Sequence, residues 1–586
     1  MIWGGISDGV VLVSASKDLW TRPWPAHGDV RSMTSSSYRK IVLALVPVVA
    51  FLAVLFYLQD AGCKTHHTAT QYGTVPRGGG TLVFATEREP LCLDPHVYGD
   101  MPQVYIAEQY LDRLVSMDEQ GMLHPWLATS WEVADGGLTY IFHLRHDVTF
   151  TDGTRFDATA VKSNLDHMVD PATQSGTAGG YIRQYTRTDI LDPYTAAVHL
   201  SSPYSAFLNV LAQGFLGIES PKALSRPRDV KCQSPVGSGP SIFTPWDHPR
   251  EVVLKKNPAY AWAPPTSRHQ GPAWLDGIVW RFVSEPSVRF AMLQAGEVGV
   301  IDSVPPESET PAKSNPDVSL LMADRPGNPT NGTLNTLRPP FNDIRVREAF
   351  IRSADIDGAL GSIFFHHYAR AGGPLSPSTP DYSPDFEHTK DYDPKRANEL
   401  LDEAGWQDRD PEGYRVREGK RLIVHIPIST VLAPADRTLW EQVQATARQT
   451  GFDVRMEPLS ETANIARSDA WDYDVRIGYW NTNTPDVLRI VFGSAFTNHF
   501  QHGIHQNASG YSSPAFDKVV AQALATQDAR QRKALYRQAQ EIIAKAHLQI
   551  TTYSQTTRLG VFSNVHDVRI EPSLRVINFH DAWMTP

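Results

Sequence analysis

The sequence predicts a protein of mixed strands and helices that folds around two or three hydrophobic cores. The chain has 586 residues, of which 41% are hydrophobic and 20% charged, and this normal globular composition exceeds the size of one core. No repeat recurs at a fixed period, which argues against solenoids and propellers. The formal charge of −10 argues against nucleic-acid binding, because neutralising phosphates requires a net basic face.

The N-terminal segment carries a targeting signal. Residues 41–58 form an uncharged apolar run preceded by Arg39 and Lys40, and basic residues before such a run place its start in the cytoplasm. The run is long for a signal-peptide core and short for a membrane span, so a cleaved signal and an uncleaved anchor both stay open. The preceding residues 1–40 are expected to be a cytoplasmic extension or to begin at an over-long start, since Met33 lies just upstream.

A cysteine follows the apolar run in the sequence Asp60-Ala61-Gly62-Cys63. Ala-Gly-Cys resembles the end of a bacterial lipobox, whose cysteine receives a lipid after cleavage, although Asp60 stands where a lipobox has an aliphatic residue. The alternative is an uncleaved anchor with an incidental cysteine. With either tether the body of the protein faces outward from the membrane, and residues 59–78 form a linker.

Residues 127–161 predict a β-hairpin that leads into a helix. The predicted strands, 130–133 and 138–144, flank the sequence Asp-Gly-Gly, in which glycine supplies the positive φ of a tight turn. Apolar and aromatic residues alternate along the second strand, so at least one of its faces is expected to be buried. Asp157 or Thr159 is expected to cap the following helix.

Further elements follow in order along the chain. Strands are predicted at residues 81–86, 241–246, 274–282 and 473–479, and helices at residues 103–115, 289–297 and 528–546. An amphipathic helix is predicted after a cap near Asp343, with Val346, Ala349 and Phe350 inward, and a further helix is predicted to end at Gly405. The Gly-Ser-Gly-Pro turn at 237–240 lacks the following lysine and helix start of a nucleotide-binding loop.

Several motifs in the same order resemble the family-5 solute-binding proteins of ATP-driven peptide, nickel and oligosaccharide importers. They are SWEVADGGLTYIFHLRHDVTFTDGTRFDATAVKSN at 130–164, LDP at 93–95, PPFNDIRVREAF at 339–350, YDPKRANELLDEAG at 392–405 and YSSPAFD at 511–517. The resemblance covers residues 79–586. An ordered series of motifs is far more specific than any one of them.

The resemblance implies an α/β fold with three lobes, the large peptide-binding form of the periplasmic binding proteins. Lobe I would consist of residues 79–112, 233–338 and 549–586, lobe II of residues 113–232, and lobe III of residues 339–548. Lobes I and III would close on the ligand about crossover hinges. The implied function is capture of a solute, with peptides first, by a monomer on the outer face of the bacterial cytoplasmic membrane. No cofactor is implied, and the partners would be an ABC permease and its ATPase.

The resemblance also marks a candidate ligand site. In peptide-binding members a segment of the form W-x-x-D-x-x-D-P presents an aspartate to the ligand's ammonium group. Here the segment begins at Trp480, has Asn483 in place of that aspartate, and retains Asp486. Asn483 lacks the charge that compensates a buried ammonium, which weakens an ordinary peptide assignment. Arg476 and Arg489 flank the segment, and each either meets a ligand carboxylate or is solvated.

The cysteine count leaves one pairing open. The chain has only three cysteines, and if Cys63 is lipidated, Cys92 and Cys232 remain in an oxidising compartment. A disulfide between them would close a long loop. Two separate buried thiols are the alternative.

A histidine series offers a weaker metal hypothesis. His499, His502 and His505 have a spacing that suits a transition metal or a metal chelate. Their segment is rich in glycine and asparagine, and a polar loop at the cleft mouth is the competing interpretation.

Several sequence features bear on functions other than the capture of peptides. The tryptophans at 274, 280, 471 and 480 raise an oligosaccharide alternative, since aromatic planes stack on sugars. The sequence has no H-E-x-x-H, no G-x-S-x-G elbow and no Walker loop, so we expect no enzyme activity. A stand-alone sensor and an extracytoplasmic hydrolase are the remaining alternatives.

Overall fold

The structure is a computed structural model that describes residues 75–497 and 506–586, all within the unit Thr74–Pro586. The apolar run 41–58, Cys63 and the three histidines of the metal hypothesis lie outside the described residues. Among the described helices, none has the length and apolar character needed to cross a membrane.

A seven-stranded sheet collects strands from three distant stretches of the chain. Its order is Val318–Asp324, Thr556–Phe562, Val300–Ile301, Thr81–Thr86, Gly277–Phe282, Glu251–Lys256 and Ser241–Phe243. Thr81–Thr86 runs parallel to both of its neighbours, and the other four pairs are antiparallel. Leu82 and Phe84 are fully buried, as the alternation of the predicted strand 81–86 requires.

A four-stranded antiparallel sheet lies within residues 113–232. Its order is Ala128–Ala134, Thr139–Leu144, Thr195–Leu200 and Tyr185–Asp192. Its first two strands form the predicted hairpin, with Asp135, Gly136 and Gly137 all at positive φ in the turn. In the following helix, Ala158–Val169, Asp157 is the cap and accepts hydrogen bonds from two backbone N–H groups.

The third region of strands contains chain from both sides of two predicted lobe boundaries. Gly327–Leu334 lies between Val475–Asn481 and Gln549–Thr551 in an antiparallel sheet. Ile423–Ser429 pairs in parallel with Asp453–Leu459. The boundaries at 339 and 548 were placed from motifs, whereas strand pairing extends this region to residues 327 and 551.

Small antiparallel sheets complete the strands. They are Asp408–Arg409 with Arg415–Arg417 and Lys420–Arg421, Val115–Met117 with Leu123–Pro125, Val565–His566 with Trp583–Met584, and Arg569–Glu571 with Val576–Asn578.

The α-helices and short 3₁₀ turns cover the sheets. The α-helices are Met101–Ala107, Ala158–Val169, Ala178–Tyr181, Phe207–Leu211, Pro221–Leu224, Arg228–Gln233, Pro286–Gln294, Glu309–Ser314, Ile344–Arg352, Ile356–Ser362, Pro394–Glu403, Pro434–Thr450, Glu461–Asp469, Val487–Phe492, Pro514–Ala525 and Ala529–Ala546. The 3₁₀ turns are Pro171–Thr173, Gly214–Leu216, Pro306–Ser308, Pro384–Phe386 and Ser494–Phe496.

Buried hydrophobic side chains form separate clusters, as the length of the chain predicts. One cluster, which includes Phe142 and Trp280, joins the seven-stranded and four-stranded sheets. A second includes Phe350 and Trp440, and a third packs helices around Phe516. The seven-stranded and four-stranded sheets therefore share one core, and the other two clusters are cores of the remaining strands and helices.

One predicted helix is wrong over half its length. The structure has a helix at Met101–Ala107, whereas the sequence predicted residues 103–115. Val115 instead begins a strand that pairs with Leu123–Pro125. The short strand is stabilised by pairing with a strand that begins eight residues further along. The helical pattern of the segment gives no indication of this pairing.

A disulfide joins Cys92 to Cys232, with 4.5 Å between the two Cα atoms. The backbone N–H of Leu93 donates to the carbonyl of Cys232 at 2.8 Å beside it. The bridge connects the segment after the strand Thr81–Thr86 to the helix Arg228–Gln233.

Candidate functional site

A cavity of about 590 Å³ lies between the region of the four-stranded sheet and the region of the strand Val475–Asn481. This volume is within the range of sites that enclose small ligands. Its lining on the first side is Gln174, Gly176 and Thr177, together with Leu91, Tyr98 and Gly99 from the segment that follows the strand Thr81–Thr86. The opposite lining is Asn328, Asn331, Thr333, Thr462, Ile465, Asp469, Arg476, Ile477, Gly478, Tyr479, Trp480, Val491, Gln506, Ala508 and Gln549.

The strand Gly327–Leu334 supplies a hydrogen-bonded floor of side-chain amides. Asn331 Nδ2 donates to Asn328 Oδ1 at 2.8 Å, and Thr333 donates to Asn331 Oδ1 at 2.8 Å. Gln549 Nε2, from the neighbouring strand, donates to both Asn328 Oδ1 and the Thr333 hydroxyl. These bonds fix the direction of each amide, and a fixed array of amides suits the polar groups of a peptide backbone.

Asp469 and Arg476 are the two charged side chains among the described residues that line the cavity. Asp469 ends the helix Glu461–Asp469, and Arg476 lies in the strand Val475–Asn481. Burial lowers the pKa of Arg476, and the negative charge of Asp469 acts in the opposite direction. The cavity therefore offers one positive and one negative group in a desolvated setting, which matches a zwitterionic solute.

Hydrogen bonds join the two sides of the cavity, and two of them involve residues of its lining. Trp480 Nε1 donates to the Tyr181 hydroxyl at 3.0 Å, and the rings of the two residues meet edge to face. Gln506 Nε2 donates to the carbonyl of Gly176 at 2.6 Å. The structure thus has the two regions in direct contact on either side of the cavity.

Of the five predicted ligand-contacting residues, Trp480 and Arg476 line the cavity. Asn483, which is expected to face the ligand, is not among the lining residues. Its Nδ2 donates to the carbonyl of Asn209 at 2.8 Å, and its Oδ1 accepts from Gln213 Nε2 at 2.7 Å. The side chain is buried and its hydrogen-bonding capacity is used within the protein.

Asp486 and Arg489, which are also expected to contact the ligand, lie outside the cavity lining. Arg489 Nε donates to Asp486 Oδ1 at 2.8 Å, and a second bond makes the pair bidentate. The Arg489 guanidinium also lies over the Phe496 ring, 5.0 Å from its centroid. The carboxylate raises the pKa of Arg489, so the pair is a buried structural ion pair.

Several cavity residues were missed by the sequence analysis. Asp469 lies eleven residues before Trp480 in a helix with no motif, and most of the amide floor comes from a strand about 150 residues before Trp480. Asn328 and Asn331 in a strand were a usable signal, because side-chain amides in a buried strand require partners. Nothing in the sequence indicates that these two residues lie near Trp480 in the folded protein.

Two clusters of histidine and aspartate could hold a metal ion among the described residues. They are Asp94 with His96 and His167, and His269 with His580 and Asp581. Neither cluster lines the cavity.

Comparison with known proteins identifies relatives over most of the chain. Residues 122–500 match the family model of the bacterial extracellular solute-binding proteins, family 5 (middle). The glutathione-binding protein GsiB of Escherichia coli K12 is 31% identical over 464 residues, which cover 79% of this chain and 86% of that protein.

Solved structures show the same fold. The periplasmic binding protein DppA of Helicobacter pylori, in complex with the peptide STSA, aligns with a TM-score of 0.76 and 24% identity, covering 87% of this chain and 99% of that one. NikA of Brucella suis, in complex with Fe(III)-EDTA, aligns with a TM-score of 0.74 and 23% identity, covering 86% and 100%. The predicted fold class, the large form of the periplasmic binding proteins, is confirmed.

Proposed function

We propose that this chain, which belongs to the bacterial extracellular solute-binding proteins of family 5, captures short peptides for an ABC importer. The observation that carries the proposal is the cavity of about 590 Å³, with Asp469 and Arg476 in its wall and an amide floor. A peptide has an ammonium group, a carboxylate and backbone amides, and the cavity has a complementary group for each of these.

The negative group is proposed to be Asp469 in place of the residue at 483. Asp469 would pair with the ligand's ammonium and Arg476 with its carboxylate. Trp480 would pack against a ligand side chain while its indole N–H stays bonded to Tyr181. The 31% identical relative is a glutathione-binding protein, so glutathione is the first ligand to test.

A steric block tests this proposal without removing a polar group. Gly478 lies in the cavity wall, has no positive φ, and a Cβ placed on it meets nothing within 4 Å. In Gly478→Phe the ring would project into open cavity space, so we expect loss of peptide binding with an unchanged melting temperature. Gly271→Phe is the matched control, because its Cβ also meets open space and it does not line the cavity.

The measurement is calorimetric titration of the full-length chain with glutathione and with di- to tetrapeptides. Binding by the wild type and by Gly271→Phe, but not by Gly478→Phe, supports capture in the cavity. Equal binding by both variants rejects the cavity as the site. Oligosaccharides and metal chelates in the same screen test the alternative solutes, and chromatography of the recovered ligand tests for turnover by a hydrolase.

The proposal also covers where the protein is located and which partners it has. Family members are extracellular, and we propose that Cys63 carries a lipid that tethers a monomer near its permease and ATPase. Mass spectrometry of the mature N-terminus tests the tether, and an unmodified Cys63 within an intact apolar run would favour the uncleaved anchor. Light scattering of the purified chain tests the monomer.

A further inference from the structure

We propose that Asp94, His96 and His167 bind a divalent transition metal ion of the zinc type, at a site separate from the cavity. Asp94 and His96 are fully buried in the segment after the disulfide residue Cys92, and His167 lies in the last turn of the helix Ala158–Val169. One ligand atom from each of the three lies within 4.8 Å of the others. This site does not depend on the proposed peptide-binding function.

The hydrogen bonds of the two imidazoles orient their lone pairs toward one carboxylate. His96 Nε2 lies 2.9 Å from the carbonyl of Gly217, and a carbonyl only accepts, so this nitrogen carries the proton. In a neutral ring Nδ1 then has a lone pair, and Nδ1 is buried without a hydrogen-bond partner among the described residues. It faces Asp94 Oδ1 at 3.6 Å.

The same reasoning applies to His167. The Thr173 hydroxyl donates to the backbone carbonyl of His167 at 2.6 Å, so its oxygen is left to accept from His167 Nδ1 at 2.9 Å. In a neutral ring the proton is then on Nδ1, and Nε2 presents its lone pair to Asp94 Oδ2 at 3.1 Å. A carbonyl or hydroxyl behind a metal-binding histidine is the usual arrangement that fixes its tautomer.

The lone pairs of His96 Nδ1 and His167 Nε2 therefore both face the Asp94 carboxylate. In these neutral tautomers neither nitrogen carries a proton that it could donate to the carboxylate. Neighbouring ligands of a tetrahedral zinc ion lie about 3.4 Å apart for metal–ligand distances of ~2.1 Å. His96 Nδ1 lies 3.6 Å from Asp94 Oδ1 and His167 Nε2 lies 3.1 Å from Asp94 Oδ2, so each oxygen of the carboxylate faces one of the two nitrogens. Glu219 lies beside Asp94 and is fully buried. Neither of its carboxyl oxygens has a hydrogen-bond partner among the described residues. Glu219 is the candidate for a fourth ligand.

The second histidine cluster is less suited to a metal ion than the first. Asp581 already accepts a hydrogen bond from the Arg569 guanidinium at 3.0 Å and from the backbone N–H of Arg268. Its charge is compensated by an arginine side chain, which repels a metal cation. In the first cluster, Lys231 and Arg226 act on Glu219 electrostatically, and neither is hydrogen-bonded to Asp94 in the described structure.

The site has a route for metal entry and a structural consequence. The His167 side chain is 10% exposed, whereas the Asp94 side chain is inaccessible, so a metal ion would arrive at the histidine first. Once bound, it would join the segment that follows the strand Thr81–Thr86 to the helix Ala158–Val169. A metal bound only by the folded state adds to its stability.

The experiment is metal titration of the full-length chain after treatment with a chelator. Zn²⁺ stoichiometry is measured by elemental analysis after gel filtration, and Co²⁺ serves as the spectroscopic probe. We expect the wild type to retain one more equivalent of Zn²⁺ than His167→Gln and to show the visible absorption of tetrahedral Co²⁺. His269→Gln, in the second cluster, is the matched control and should match the wild type.

Thr173→Val separates a metal role from a purely structural one. It removes the hydroxyl that orients His167 and leaves the proposed ligands in place, so we expect Zn²⁺ affinity to fall about 10- to 100-fold with one equivalent still bound at saturation. If the wild type and a folded His167→Gln retain equal Zn²⁺, the proposal is overturned. A wild type without tetrahedral Co²⁺ absorption also overturns it, whether or not His167→Gln folds.

Discussion

Replacing Arg476 with methionine should remove discrimination between peptides that end in a carboxylate and the same peptides with a terminal amide. Arg476 is one of two charged side chains among the described residues of the cavity wall, and burial lowers its pKa. A bound carboxylate would place a negative charge beside this desolvated guanidinium, which favours its charged form. Methionine keeps most of the volume of the side chain and removes its charge.

The expected loss of binding free energy follows from the burial of the Arg476 side chain. Truncating one member of a buried charge pair costs about 2–5 kcal/mol. The lower end applies here because Asp469 already acts on Arg476, so part of its charge is compensated before the ligand arrives. About 2–3 kcal/mol corresponds to a loss of roughly 30- to 140-fold in affinity for a carboxylate ligand.

The assay is a two-by-two calorimetric comparison of both proteins with both peptides. For the wild type we expect the amide to bind roughly 30- to 140-fold more weakly, and for Arg476→Met we expect the two peptides to bind within about 2-fold. Arg467→Met is the control, since Arg467 bonds to Glu457 at 3.0 Å outside the cavity lining. Undiminished discrimination by Arg476→Met would refute the proposed pairing.

Three further predictions concern residues outside the ligand contacts. Cys232→Ser opens the 140-residue loop to Cys92, and loop entropy gives a loss of about 5 kcal/mol as an upper value, measured by urea unfolding; equal midpoints for the oxidised wild type and the variant would contradict it. Burial raises the pKa of Asp112 from 3.8 to about 6, so the folded state holds a proton that the unfolded chain releases in this range. The unfolding free energy should therefore fall by about 2 kcal/mol between pH 4 and pH 6, and Asp112→Asn should remove that part of the slope; parallel pH profiles would contradict it. Asn483→Asp should lower the melting temperature without improving affinity for free-amine peptides, because it replaces the donor to Asn209 with a carboxylate; tighter binding would place residue 483 at the ligand.

Local signals predicted the elements that they control. The helix Ile344–Arg352 has the expected cap at Asp343, and Val346, Ala349 and Phe350 are fully buried as its amphipathic pattern requires. Such a helix is specified by residues within a few positions of one another. The same holds for the hairpin turn, whose Asp-Gly-Gly sequence supplies the left-handed conformations that the turn needs.

The ligand cavity was less predictable because it depends on contacts between distant residues. Trp480 begins the family motif, Arg476 flanks it, and both line the cavity. The motif also suggested position 483, but whether a side chain three residues from Trp480 faces the cavity depends on Gln213, which lies 270 residues away in sequence. Asp469 carries no motif and is brought to the wall only by the end of its helix.

The seven-stranded sheet has a consequence for how the chain must be synthesised and folded. Its strand Thr556–Phe562 lies between Val318–Asp324 and Val300–Ile301, so two strands made early have no partner at that position until residue 562 is available. During synthesis those strands present open edges, which are sites of pairing with other chains. The four-stranded sheet within residues 113–232 uses only nearby chain and can form first. A truncation before residue 556 should therefore aggregate, although it leaves most of the cavity wall intact.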